Sequence, residues 1–357
     1  MSQTFHASAP GKLVIVGEYA VVYGAPALVS AVPRRATVSL TCRSDDNWLV
    51  RAPGLNANAH KAPMTFSGIT DPALGSQLPL LASVIRSLAF QGPGCNAELD
   101  TQAFYTDRTA EPLHPSRPSK LGLGSSSAMC TAMMGALALI QRPQTSLDKY
   151  DEGSDQLPVT LAEVLKAHQL FQQGKGSGID IAASYLGGCV EFRRQPSSVR
   201  EISHSRSALP VLAVWVWSGK SAATTSRLQR LQQFAQSQPD LFGSLMGTLS
   251  GLTKQACEGA KRHDGDAFLD ATRDFSQCLE DLDQRSSLGV WTDDHRKIAY
   301  IAKQCGVFYK TSGAGGGDCG LALDKDRGKL EYFLASALRA GYSGWHLGAE
   351  NQGLKAD

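Results

Sequence analysis

Lys120-Leu121-Gly122-Leu123-Gly124-Ser125-Ser126-Ser127-Ala128 decides how the rest of this chain is read. Glycines at alternate positions let the backbone turn tightly and approach a ligand without Cβ atoms in the way. Three serines follow, then a run of Ala, Met and Leu without proline, which predicts a buried helix over 126–141. A glycine loop running into a helix N-terminus suits an anion, because unpaired N–H groups and the positive end of the helix dipole face the same point. The spacing is not that of the P-loop, since no Lys follows the glycines, nor the G-x-G-x-x-G of dinucleotide folds. Taken alone, the stretch fits a phosphate cradle and an ordinary capping turn equally well.

Composition narrows the class of protein. The 357 residues are enough for two domains, and 42% hydrophobic with 19% charged residues is a globular balance. Thirty-five basic against 33 acidic residues give +2, without a Lys/Arg block. Neither nucleic acid nor a membrane surface is therefore an expected partner, and an anionic ligand needs a local site. Residues 1–8 lack the charged and apolar regions of a signal peptide. The eight cysteines are scattered without C-x-x-C spacing, as expected of free thiols in the cytoplasm.

Outward from the glycine loop, residues 13–16 predict a buried strand entering Gly17-Glu18-Tyr19. Residues 20–31 are apolar but broken at Tyr23-Gly24-Ala25-Pro26. Strands are predicted at 37–42, 48–52 and 97–105, a helix at 78–90, a long loop at 53–74 and surface connections at 106–119 and 144–158. Thr160-Leu161-Ala162-Glu163 is a capping box, and its helix ends before a second glycine turn, Gly174-Lys175-Gly176-Ser177-Gly178. A short apolar stretch, 179–185, and a strand at 190–193 follow. The polar, serine-rich 194–208 marks a domain boundary, set at 200/201. Beyond it come a strand at 211–217 and helices at 222–237, 241–261, 265–286 and 293–304. A strand at 306–309 enters a third glycine loop, 311–320, with a strand at 321–323, a helix at 327–339 and a last strand at 345–347. This order predicts an α+β fold, not a doubly wound parallel sheet.

Three segments in this order and spacing resemble the motifs of the GHMP small-molecule kinases. They are Ala9-Pro10-Gly11-Lys12 through Gly17-Glu18-Tyr19 to Gly24, Leu121–Ala128, and Lys310-Thr311-Ser312-Gly313-Ala314-Gly315-Gly316-Gly317-Asp318-Cys319-Gly320. The resemblance implies a ribosomal-protein-S5-domain-2-like N-terminal domain over 1–200 and a ferredoxin-like C-terminal domain over 201–357. ATP, Mg²⁺ and a small acceptor would meet in the cleft between them. Within the superfamily, Tyr19, the run from His168 to Asp180, Trp217-Ser218-Gly219 and Asp318-Cys319-Gly320 are similar to phosphomevalonate kinases. The implied reaction is ATP-dependent phosphorylation of 5-phosphomevalonate by a monomer or homodimer. Mevalonate kinase, another kinase of the superfamily, and an ATP-binding sensor are the alternatives; the related decarboxylase is disfavoured by Lys12 and the intact glycine motifs.

The resemblance also implies roles. Lys120, Gly122, Leu123, Gly124, Ser125, Ser126 and Ser127 would hold the ATP phosphates, with Ser126 a Mg²⁺ ligand. Asp180 would act as base or as the group that fixes Lys12, whose ammonium would bridge the attacking and transferred groups. Lys12, Glu18, Tyr19, Ser177, Gly178, Asp180, Ser312, Gly313, Ala314 and Gly315 would form the acceptor site, with the Tyr19 hydroxyl available as a donor. Lys120, Lys175 and Lys220 are candidates for the acceptor phosphate, and His168 for a structural hydrogen bond. Counting back from Asp180 puts the neutral Gln169 where mevalonate kinases carry a metal-binding Glu.

Overall fold

The computed structural model describes residues 3–54, 64–106, 119–142, 157–174, 176–194, 202–207, 209–222, 224–348 and 350–357. Two long antiparallel strands, β1 (Thr4–Val16) and β2 (Ala27–Cys42), form its spine. They are joined through a 3-10 turn, Ala20–Tyr23, closed by Gly24 at φ +89°. Pairing of Pro10 with Arg35 and of Gly11 with Val32 leaves Pro33 and Arg34 as a bulge in β2. A bulge is where a strand can accommodate a proline that donates no ladder hydrogen bond. That is how one strand runs through Pro33, where the sequence suggested only the stretch 37–42.

Then follow β3 (Trp48–Arg51), β4 (Met64–Phe66), α1 (Pro72–Gln77), α2 (Pro79–Leu88) and β5 (Cys95–Asp100). The loop predicted at 53–74 thus holds a strand and the start of a helix, and 55–63 lie outside the described residues. The strand predicted at 97–105 ends at Asp100, because a 3-10 turn over Gln102–Phe104 seats Phe104 in the core. Most of the connections predicted at 106–119 and 144–158 also fall outside the described residues.

The predicted core helix is α3 (Ser125–Gln141), with every residue from Ser127 to Leu139 buried. An all-round apolar helix has to be enclosed on every side; α3 lies on β1 and β2 and is flanked by α2, α4 (Leu161–Phe171) and α5 (Ile179–Leu186). The capping box at α4 forms as read. Glu163 N donates to Thr160 Oγ1 at 3.3 Å and Thr160 N to Glu163 Oε2 at 2.8 Å. Arg142, just after α3, binds the other Glu163 oxygen at 2.7 Å and so ties the two helices together.

β6 (Cys189–Arg194) pairs with the first half of β2 and with β7 (Ile202–Ser207). The predicted boundary at 200/201 therefore falls inside a strand pair, and the first sheet takes β7 from beyond it. β8 (Leu212–Trp217), α6 (Thr224–Ser237), α7 (Pro239–Lys261), α8 (Gly265–Ser286), α9 (Asp293–Gln304), β9 (Phe308–Thr311), β10 (Cys319–Asp324), α10 (Arg327–Arg339) and β11 (Ser343–His346) follow. The second sheet has the antiparallel order β11-β8-β10-β9, covered by apolar residues of α9 and α10. The chain then returns, and β12 (Lys355–Ala356) pairs with β1. The architecture is α+β, and among the described residues no helix is long and apolar enough to cross a membrane.

Replacing Thr160 by Ala removes the cap of α4 and is expected to cost about 1 kcal/mol in urea unfolding. A loss near zero would show that the Arg142–Glu163 tie holds the helix end without the cap.

Candidate active site

Lys12 sits in β1, where its N–H donates to the carbonyl oxygen of Leu123 at 2.8 Å. Gly11 permits this approach, because a Cβ there would lie 2.6 Å from the same oxygen and from the Phe104 ring. Gly122 and Gly124 both take left-handed backbone, at φ +77° and +76°. Gly124 is the N-cap of α3 and brings no side-chain cap, so the first-turn N–H groups of Ser125, Ser126 and Ser127 are left to a ligand. Leu121 and Leu123 are buried and anchor the loop. The serine hydroxyls differ in their partners. Ser127 donates to the Gly124 carbonyl at 2.7 Å, whereas Ser126 Oγ lies 3.0 Å from His168 Nε2.

The third glycine loop braces the first. Cys319 Sγ donates to the Leu121 carbonyl at 3.1 Å, and burial pushes that thiol up, keeping it a neutral donor. Asp318, at φ +54°, lies against Gly122, where a Cβ would come 2.2 Å from its carboxyl carbon. Burial raises the Asp318 pKa, opposed by the Ala222 N–H and by the charges of Lys12 and Lys120. Under the loop, His295 Nε2 lies 2.9 Å from the Gly317 carbonyl, which can only accept, so this nitrogen carries the proton. Nδ1 then accepts from the Tyr309 hydroxyl at 2.8 Å.

Lys12 and Asp180 face each other across a cleft of about 210 Å³, Nζ to Oδ1 3.6 Å. Gly178, at φ +86°, caps α5 with backbone alone and sets Asp180 in the helix's first turn. Glu18, Ser177, Gly178, Gly313 and Ala314 also line the cleft, and Val21, Val22 and Leu228 supply an apolar flank. Tyr19 lines it too, but its hydroxyl donates to the Ala314 carbonyl at 2.6 Å and so joins the first motif to the third loop. Two residues assigned to the acceptor site stand behind its wall: Ser312 donates to the Val14 carbonyl at 2.9 Å, and Gly315 packs against Val290. Lys220 is exposed and paired with Asp294 at 2.9 Å, and Lys175 lies outside the described residues.

A second cavity, of about 220 Å³, adjoins the same loop. Lys120, Ser125 and Ser126 form one side, and Leu78, Leu80 and Phe171 give it an apolar interior. Ser126 thus lies beside the cleft and this cavity alike.

Two residues, one in the cleft wall and one behind it, take places that the sequence reading did not give them. His168, not Gln169, faces the cleft, because it and Gln172 share one side of α4. Its pKa is lowered by burial, with the charge of Asp180 opposing. The i, i+4 spacing of His168 and Gln172 was the available signal. Lys310 is the other: fully buried, it reaches Glu18 at 2.6 Å. A lysine at the end of a strand gives no sign of this.

Comparison with known proteins agrees with the arrangement. Residues 109–188 match the GHMP kinases N terminal domain. The mevalonate kinase of Methanothermobacter thermautotrophicus is 30% identical over 313 residues, 87% of each chain. The phosphomevalonate kinase of Streptomyces sp. (strain CL190) is 29% identical over 345 residues, 88% of each. Among solved structures, a Lin0012 protein from Listeria innocua superposes with a TM-score of 0.78 at 20% identity over 99% of both chains.

Burial lowers the His295 pKa below its ordinary 6.5. The unfolded chain therefore takes up this proton first as the medium is acidified. The stabilising contribution is whole above about pH 6.5 and is lost as pH falls from there through the lowered folded value. A His295→Gln variant is expected to melt lower than the parent at pH 8, with a gap that narrows at pH 5.5; a gap independent of pH would contradict the assigned protonation.

Proposed function

The chain belongs to the GHMP kinase family, and from that premise we propose that it transfers the γ-phosphoryl group of ATP to 5-phosphomevalonate, forming 5-diphosphomevalonate. The observation that carries this reading is the Lys12–Asp180 pair in the cleft, with the Lys12 side chain lying against Gly124 at the open N-terminus of α3. Phosphoryl transfer asks a protein mainly for alignment and for charge around a loose transition state. The α3 N–H groups would cradle the ATP phosphates, and the apolar cavity beside Lys120 and Ser125 would take the nucleoside.

Lys12 would carry the electrostatic part. Its side chain is 13% exposed, and its ammonium can sit between the attacking and transferred groups while Asp180 fixes its position. A phosphate oxygen is already ionised at neutral pH, so an Asp180 committed to Lys12 need not remove a proton. An alcohol acceptor would require that proton to go somewhere. This is the physical reason for preferring the phosphorylated acceptor. Tyr19 and Asp318-Cys319-Gly320, similar to phosphomevalonate kinases, support the same preference, as does the Streptomyces relative.

Mg²⁺ takes few protein oxygens and completes its shell with phosphate and water. Ser126 Oγ at the head of α3 suits that need, with Asp180 near enough for its charge to act on His168 beside it. When bound, the ion would neutralise charge building on the phosphate oxygens. Mevalonate is the second reading of the acceptor, supported by the Methanothermobacter relative.

Release of ADP from Mg²⁺-ATP, measured with each compound at equal concentration, separates the two. Turnover with 5-phosphomevalonate alone is expected, and turnover with mevalonate alone would overturn the proposal. Asp180→Asn is expected to lower kcat by about 10²–10³-fold with the KM for ATP little changed. An unchanged kcat would remove Asp180 from the mechanism.

A further inference from the structure

Lys310, next to last in β9, has no exposure, and its ammonium makes two 2.6 Å hydrogen bonds, to Glu18 Oε1 and to the carbonyl of Thr311. The Glu18 side chain is 1% exposed. Enclosing two opposite charges this completely is costly, and apolar residues of similar volume often serve a fold as well or better. A pair kept only for the fold would be expected to satisfy both carboxylate oxygens. Here Glu18 Oε2 is buried without a well-formed hydrogen bond, the backbone N–H groups of Glu18 and Gly313 acting on the carboxylate only weakly, and Glu18 forms part of the cleft wall with Lys12 and Gly313. An unpaired buried acceptor is a deficit that a donor on a ligand can relieve.

We propose that Lys310 is a positioning residue that holds Glu18 with Oε1 spent and Oε2 presented to the cleft, where it accepts a hydrogen bond from a hydroxyl of the acceptor molecule. The proposal deepens the acceptor reading above and rests on it. The signs of charge sort the acceptor end for end. Glu18 repels a phosphate or carboxylate and accepts from a hydroxyl, whereas Lys12 attracts the anionic group. The acceptor class is therefore a hydroxy compound carrying its anionic, reacting group away from the carbon that bears the hydroxyl. In the mevalonates that hydroxyl is the one on C3. Because Lys310 stands in β9 and Glu18 follows β1, the same ion pair also couples the hydroxyl site to the third glycine loop.

The test compares the parent, Lys310→Met and the double variant Glu18→Met/Lys310→Met. Each is assayed with whichever mevalonate compound the parent phosphorylates and with its analogue lacking the C3 hydroxyl. Lys310→Met alone leaves a buried carboxylate unpaired and is expected to melt lower than the parent. The double variant leaves no buried charge, so its melting temperature returns toward that of the parent. Its KM for the acceptor is nevertheless expected to stay raised at least about tenfold, with the KM for ATP unchanged. The parent is expected to favour the hydroxylated acceptor over the deoxy analogue at least about tenfold, and the double variant to lose that preference. A double variant that regains the parent's melting temperature, acceptor KM and preference would overturn the proposal, leaving the pair a purely structural one. So would a parent indifferent to the C3 hydroxyl, a result that needs no variant. A parent that phosphorylates neither mevalonate compound would instead overturn the acceptor reading, and this proposal with it.

Discussion

Two carbonyl oxygens, those of Leu121 and Leu123, hold the glycine loop before α3 in its shape. Leu123 accepts from the Lys12 backbone at 2.8 Å, and Leu121 accepts from the Cys319 thiol at 3.1 Å. One donor comes from the strand that carries Lys12 and the other from the third glycine loop. Their side chains are sunk in the core, so the loop cannot shift without opening the core with it. Gly122 between them and Gly124 after them then adopt left-handed backbone, which only a residue without a Cβ takes without strain. The open end of α3 is thereby held beside Lys12, which lines the cleft, and beside the second cavity.

Around this fixed loop the charges are arranged in pairs instead of being left to solvent. Lys12 meets Asp180 at the cleft surface, and Lys310 meets Glu18 behind it. Asp318 sets its carboxyl group against Gly122, close to Lys12 and Lys120. Screening by salt is weak where water is excluded, so each of these charges acts strongly on an anion placed in the cleft. The hydroxyls follow the same economy. Tyr19 and Ser312 are spent on carbonyls that stitch the first motif to the third loop, and Ser126 stands beside both cavities.

Much of the fold was legible because its signals are local. The Ala/Met/Leu run of α3, the capping box of α4 and the amphipathic helices α7 to α9 need only neighbours in sequence to be recognised. The three glycine motifs were likewise visible, and the structure brings Lys12, Gly122, Asp180 and Gly313 to one place. What stayed hidden depends on partners far along the chain. β2 continues through Pro33 only because a bulge against β1 absorbs it, and the polar β7 is a strand only because β6 pairs with it. Lys310 could not be told from a surface lysine without Glu18, 292 positions away. His168 was read as a structural hydrogen-bonder, which its contact with Ser126 bears out; that it also lines the cleft depends on how α4 is turned against the loop.

The central claim is that this cleft delivers a phosphoryl group onto an oxygen of a phosphate. Phosphorus NMR of the product formed from ATP and 5-phosphomevalonate tests it most directly. A new pair of mutually coupled diphosphate resonances, growing as ADP forms and the acceptor's phosphomonoester signal declines, is the predicted result. ADP formation with the product showing only uncoupled phosphomonoester resonances would mean that a hydroxyl, not the phosphate, receives the group, and would contradict it.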